Sequence, residues 1–136
     1  MTTALSDQRS AIRETVAPVR SAKSYRELQV WQRSIQLSVS LYHLTRGFPR
    51  EELYGLTSQL RRAGVSVASN VAEGYGRGSK GEYRNFLGMA RGSALEVQTQ
   101  LVIARELGLG DPKLIAAAER LAEETGKMLW AMMEKL

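Results

Sequence analysis

The stretch GLTSQLRRAGVSVASNVAEG, running from Gly55 to Gly74, decides the fold. At about 100° per residue, Leu56, Leu60, Ala63, Val67 and Val71 fall on one face, the mark of an amphipathic helix. Beside that face run Gln59, Arg62, Ser66, Ser69, Asn70 and Glu73, an edge of hydrogen-bonding groups several turns long. Arg61 projects from a third side among Val65, Ala68 and Ala72, where small residues let another helix come close. An ordinary surface helix has one apolar stripe and a loosely charged back. Two further organised surfaces imply contact beyond the helix's own bundle.

Three more helices flank this one, and strand signals are missing. The first is predicted from Tyr25 to Arg46, stopping near Gly47, Phe48 and Pro49. Leu28, Trp31, Ile35, Val39 and Tyr42 line one side of it, while Val30, Leu37, Leu41, Leu44 and Phe48 line nearly the opposite side. Small Ser34, Ser38 and Thr45 bridge the two on one flank; Gln29, Gln32, Arg33, Gln36, Ser40 and His43 make the other flank a solvent face. Apolar and small residues thus cover roughly 200° of the helix, beyond the stripe of about 100° that a surface helix buries. Five large side chains left in water would forfeit about 1.5–3 kcal/mol each. That sum rivals the whole stability of a domain, about 5–15 kcal/mol. The second face is therefore expected to be covered by another subunit, with Val30, Leu37, Leu41 and Leu44 at the oligomer interface.

The third helix is predicted to start at Ser79, with Glu82 completing a capping box, and to run to about Leu107 on a core stripe of Tyr83, Phe86, Leu87, Ala90, Ala94, Val97, Leu101 and Ala104. Gly74 serves as a left-handed helix stop between the second and third helices. The fourth opens with Asp111 as N-cap and Pro112 at the first helical position. Its inward side is read as Leu114, Ala118, Leu121, Thr125, Met128, Leu129, Met132 and Leu136. Short links then give an all-α, up-down-up-down four-helix bundle over residues 24–136. Residues 1–23 lack an apolar period, contain Pro18, and are expected to form a flexible extension.

The chain has 136 residues, enough for one domain with a real core. It has no cysteine, which removes disulfides and thiolate metal sites. It shows no secretory h-region and no apolar run of about 20 residues, so a soluble cytoplasmic protein is expected. Its formal charge is +5, and the isoelectric point is about 9.8. Residues 54–92 hold six cations (Arg61, Arg62, Arg77, Lys80, Arg84, Arg91) against Glu73 and Glu82, while residues 111–136 are nearly balanced. Such clustering favours a polyanionic partner, nucleic acid first.

Catalytic chemistry is poorly supplied. The one histidine, His43, falls on the solvent flank with no acid three or four residues away, and the Glu-x-x-His pairs of di-metal bundles are absent. Glu73 and Glu96 alone make too poor a donor set for a metal site. Neither enzyme activity, metal nor cofactor is expected. Gly74, Gly76 and Gly78 imitate a phosphate loop but follow a helix and lack the Gly-Lys-Ser/Thr ending. A flexible turn is the plainer reading, although Tyr75, Arg77, Lys80 and the helix N-terminus beside it would receive a phosphate. Arg84, Arg91, Gln98 and Arg105 recur every seven residues as one ridge, either a solvated face or a phosphate track. The polar stripe has two readings as well. Gln59, Ser66, Ser69, Asn70 and Glu73, with Glu96 and Gln100 of the next helix, form either a register-fixing network or a ligand site, and the network is preferred.

Several phrases occur in a fixed order: Glu27 to Gln32, Phe48-Pro49, Tyr54 to Arg62, and Ser69 to Gly74. Glu82, Phe86-Leu87, Gly92-Ser93 through Glu96, Thr99-Gln100 and Ile103-Ala104 follow. Over residues 25–130 or so, the chain resembles the bacterial four-helix-bundle proteins named for intervening sequences of 23S ribosomal RNA. Ala68 stands where that family usually has Pro, and Gly64 where it usually has Ala. The resemblance implies a left-handed bundle that assembles as a homopentameric ring, without an established enzymatic activity. A related bundle, the accessory variability determinant of diversity-generating retroelements, is a basic pentamer that binds a reverse transcriptase and its RNA. The expectation is a non-enzymatic oligomer that binds structured RNA or a ribonucleoprotein through Arg61, Arg62, Arg77, Lys80, Arg84 and Arg91. The alternative is a protein–protein scaffold.

Overall fold

The computed structural model describes residues 23–136, so the extension expected over residues 1–23 lies, but for its last residue, outside the described residues. Among the described residues there are four α-helices and no strand: α1 Gln29–Thr45, α2 Leu56–Tyr75, α3 Lys80–Glu106 and α4 Pro112–Lys135. Each packs on the next, and α4 returns to α1, closing a four-helix bundle. No helix among these residues is long and apolar enough to cross a membrane.

One spacing rule governs what is buried. On α3 the seam runs Tyr83, Leu87, Ala90, Ala94, Val97, Leu101 and Ala104, alternating steps of four and three, with Ser93 and Gln100 buried beside it. Ile115, Ala118, Ala122, Thr125, Leu129 and Met132 repeat the pattern on α4. On α1 it runs Val30, Ser34, Leu37, Leu41, Leu44 and on to Phe48. Such an a/d repeat keeps one narrow seam against neighbouring helices along the whole length. Three hydroxyls in or beside it bond within their own helix. Ser34 Oγ donates to the Val30 carbonyl at 2.7 Å, Thr45 Oγ1 to that of Leu41 at 2.7 Å, and Thr125 Oγ1 to that of Leu121 at 2.6 Å.

The apolar side of α1 expected to face another subunit is therefore core, and the other side is divided, with Leu28 buried and Trp31 packed on the core. Val30, Leu37, Leu41 and Leu44, read as a subunit boundary, are at most 1% exposed and belong to the protomer's own core. Ile35, Val39 and Tyr42 are 38%, 48% and 41% exposed. The cause is the phase of the repeat: the inward row keeps strict four–three steps, whereas Leu28, Trp31, Ile35, Val39 and Tyr42 drift by two successive steps of four. On α4 the inward row also differs from the one expected: Leu114 is exposed, and Ile115 and Ala122 are buried instead.

The ends follow local chemistry. Leu28 is extended (φ −73°, ψ 125°), so α1 starts four residues later than the periodicity predicts, after a 3₁₀ turn at Tyr25–Glu27 capped by Ser24. Ser79 Oγ accepts from the Glu82 amide at 3.1 Å, and Asp111 Oδ1 accepts from that of Lys113 at 2.9 Å, so both expected N-caps form. After α3, the Leu109 amide bonds to the Ala104 carbonyl and the Gly108 amide to that of Arg105, a Schellman stop that requires the φ of +69° at Gly108. Gly74 is no such stop, since α2 runs through it to Tyr75 and its φ is not positive. It is needed for close approach: a Cβ there would lie 2.8 Å from Phe86 Cβ and 3.1 Å from Tyr83 Cδ1.

The two sides of α1 predict opposite outcomes for one kind of substitution. Leu37→Asp places a charge in a sealed seam and abolishes the helical circular-dichroism signal and the cooperative melt. Val39→Asp, a charge at an exposed position, keeps the helical signal and a cooperative melt.

Candidate nucleic-acid interface

The polar edge of α2 meets α3 along one flank of the bundle. Ser66 Oγ and Ser93 Oγ lie 2.8 Å apart, and the Asn70 side-chain amide donates to the Ser66 carbonyl at 2.9 Å and to its hydroxyl at 3.0 Å. Nearer the start of α2, Gln100 Nε2 donates to Gln59 Oε1 at 3.4 Å. Between these two links, Gln59, Arg62, Ala63, Ser66, Glu96 and Gln100 line a groove of about 320 Å³. Gln100 is 7% exposed, yet its Oε1 is buried without a hydrogen-bond partner. An unpartnered buried acceptor costs about 1–3 kcal/mol.

The expected seven-residue network is thus divided. Ser66 and Asn70 share a cluster with Ser93, which the stripe reading missed; its place beside Ala90 and Ala94 in the seam of α3 was the available signal. Gln59 and Gln100 form a pair. Glu73 turns away to Arg77, at 3.1 Å, and Ser69 lies with Tyr25, Ala72, Glu73, Gly76 and Arg77 around a separate open hollow. Glu96 lines the groove with no ion pair to Arg62 across it.

The six expected cations sort by partner. Arg77 bridges Glu73 and Glu82, the latter at 4.0 Å, with its guanidinium 4.7 Å from the centre of the Phe86 ring. Arg61 faces α1, donating from Nε to Thr45 Oγ1 at 2.8 Å and lying over the Tyr42 ring at 4.4 Å. Arg84 Nε donates to the Met133 carbonyl at 3.0 Å, and Arg91 stacks over Trp130 at 4.8 Å. Arg62 and Lys80 are exposed and make no ion pair among the described residues. Carbonyls, hydroxyls and rings leave a guanidinium its charge; carboxylates cancel it. Arg77 is consequently the one neutralised member, and the glycine turn that holds it presents carboxylates beside the α3 N-terminus.

The heptad ridge of α3 is also not a free track. Arg84 and Arg91 hold α4, and Arg105 pairs with Glu119 of α4. Positions that recur every seven residues flank a helix–helix seam, which is where side chains bridge to the partner helix. Arg33, placed on the solvent flank of α1, is half-buried and ion-paired to Glu124 of α4. His43 is exposed as expected. Among the described residues no three of His, Cys, Asp and Glu gather as a metal site.

Behind the glycine turn, Tyr83 stands edge-on to Tyr75 with ring centres 6.2 Å apart, and its hydroxyl is buried without a partner. Burial, then the neighbouring Tyr75, push its pKa far above the ordinary phenol value. An unfolded tyrosine ionises near pH 10 or so. Stability linked to Tyr83 is therefore intact below that pH and declines above it, because the unfolded chain releases its proton first.

Residues 26–131 match the family described as 23S rRNA-intervening sequence protein. A comparison with curated proteins finds no match.

Tyr83→Phe removes an unsatisfied hydroxyl and the titration together. Thermal melts should find the variant equal to the parent or more stable by up to about 1 kcal/mol, with a smaller alkaline loss above pH 10 or so.

Proposed function

We propose, for a chain that belongs to the 23S rRNA-intervening sequence protein family, a non-enzymatic, self-assembling helical bundle that binds structured RNA or a ribonucleoprotein through its basic surface. The observation that carries this reading is a charge imbalance. Within residues 54–92 the acids are Glu73 and Glu82, and both face Arg77. Arg61, Arg62, Lys80, Arg84 and Arg91 stay uncompensated there, and phosphates are the partners that such a set attracts. A reverse transcriptase with its RNA is one ribonucleoprotein of this class, and the cytoplasm is the expected location.

The bundle is read as up-down-up-down and left-handed. The pairs Gly74–Phe86, Ser66–Ser93 and Gln59–Gln100 support opposed directions for α2 and α3, since one number falls as the other rises. Four–three spacing averages 3.5 residues per turn, which favours left-handed supercoiling. Self-association, as a homopentameric ring in line with the resemblance, moves to the outer side of α1 and α2. Ile35, Val39 and Tyr42 are exposed there beside Val65, around the Arg61–Tyr42 stack. Covering such area contributes about 25 cal/mol per Å² of apolar surface.

Two measurements test the reading. Binding of a structured rRNA hairpin is followed across a salt series for the parent and for Arg62→Ala/Lys80→Ala/Arg84→Ala. The triple variant should bind at least about tenfold more weakly, with a flatter salt slope; identical affinities and slopes would remove these three residues from the interface, and a parent that binds no RNA at any salt would remove RNA from the account. In sedimentation the parent should exceed the 15.1 kDa protomer and Val39→Asp should approach it. A parent that stays a folded protomer at micromolar concentration overturns self-assembly. Capture of a protein that survives nuclease and high salt would favour the scaffold alternative.

A further inference from the structure

We infer that the groove between α2 and α3 reads a guanine base, carried on an unpaired stretch of RNA; the RNA source rests on the reading above. The groove joins four kinds of polar group at one place: the Arg62 guanidinium, the Glu96 carboxylate, the Gln59 and Gln100 amides and the Ser66 hydroxyl. Two charges of opposite sign line it without pairing. Gln100, more than nine-tenths buried, keeps a carbonyl oxygen that no group of the protein satisfies. A network that existed only to fix helix register would close these valences on itself. This one closes Ser66, Ser93 and Asn70 and leaves the groove end open.

The unused groups define the ligand. The Glu96 carboxylate accepts through two oxygens, so the ligand must bring adjacent donors; Arg62 donates, so it must also bring an acceptor. Among the bases, guanine alone places two neighbouring donors, N1–H and N2–H₂, on its Watson–Crick edge, where a carboxylate takes both. Its O6 and N7 acceptors suit a guanidinium. Adenine and cytosine each oppose a ring acceptor to the carboxylate, and uracil offers a single donor between two carbonyls. No aromatic side chain lines the groove, so selection falls to edge hydrogen bonds. An arginine from a second copy would also suit Glu96, but it would meet Arg62 and a chain of net charge +5.

The test reads the groove and the RNA separately. Side-chain amide signals of Gln59 and Gln100 are followed by ¹⁵N NMR while guanosine, inosine or adenosine monophosphate is added at millimolar concentration. In parallel, a hairpin RNA carrying one guanine in an otherwise adenine loop is compared by fluorescence anisotropy with its inosine and adenine counterparts, using the parent and Glu96→Gln. The expected result is a shift of both amides with the guanine nucleotide, a smaller one with inosine, which lacks N2, and none with adenosine. The guanine hairpin should bind about tenfold or more tightly than the adenine one, and Glu96→Gln should erase that preference with the melting curve unchanged. Hairpins that bind equally, with unmoved amides, overturn the groove and leave RNA binding standing. Selective amide shifts without hairpin binding keep guanine recognition, assign it to free nucleotide and overturn the RNA reading. Amides that move only when the protein concentration is raised would hand the groove to a second copy and overturn the inference.

Discussion

The four–three burial seam is the constraint on which the rest of this bundle depends. A helix holding its inward residues at alternating steps of four and three has no freedom in which side chains face out, because every other position is placed by rotation about the same axis. On α2 the buried set includes Leu60, Gly64, Val67, Val71 and Gly74. That phase sends Gln59, Arg62, Ser66 and Asn70 to the α3 flank and Arg61 and Val65 to the α1 flank. One helix thereby supplies a polar edge on one side and, on the other, a mixed surface where Arg61 covers Tyr42.

Charge is distributed by the same geometry. Arginine spaced by heptads along α3 lies beside the seam with α4, so Arg84, Arg91 and Arg105 become struts, on a carbonyl, a ring and a carboxylate respectively. A strut on a neutral group remains a cation in the field of the whole molecule, and a phosphate some ångströms away still feels it. Structural use and electrostatic use are therefore compatible for Arg84 and Arg91. They are not compatible for Arg77, whose two carboxylates cancel it.

Much of this was legible in the residues. The core faces of α2 and α3, the caps at Ser79 and Asp111 and the helical class all follow from period and capping chemistry. The inward face of α1 did not, because both of its apolar sides have enough bulk to fill a core and hydrophobicity alone gives no preference. The strictness of the spacing through Ser34 held the answer, but a serine reads as polar until its hydroxyl is seen bonded to the Val30 carbonyl. The candidate site was half legible. The pattern groups Gln59, Ser66, Ser69, Asn70, Glu73, Glu96 and Gln100 as one network, yet whether such groups satisfy one another turns on distances of a few tenths of an ångström. Periodicity carries no such information.

The division of α2 into separate surfaces has a consequence for affinity. A single groove offering a few hydrogen bonds to one base competes against water for each of them, and such a contact is weak on its own. Self-association through the α1–α2 side would leave the α2–α3 flank of every protomer open, since the two lie on different sides of the same helix. A ring would then present one groove per copy, each flanked by uncompensated cations. Once one groove is engaged, the next meets its base at an effective concentration set by the intervening RNA, not by bulk solution. Assembly and recognition would then be one design: the apolar face of α1 multiplies sites that are individually feeble, and the phosphate-attracting charge between them keeps the strand close enough for that multiplication to matter.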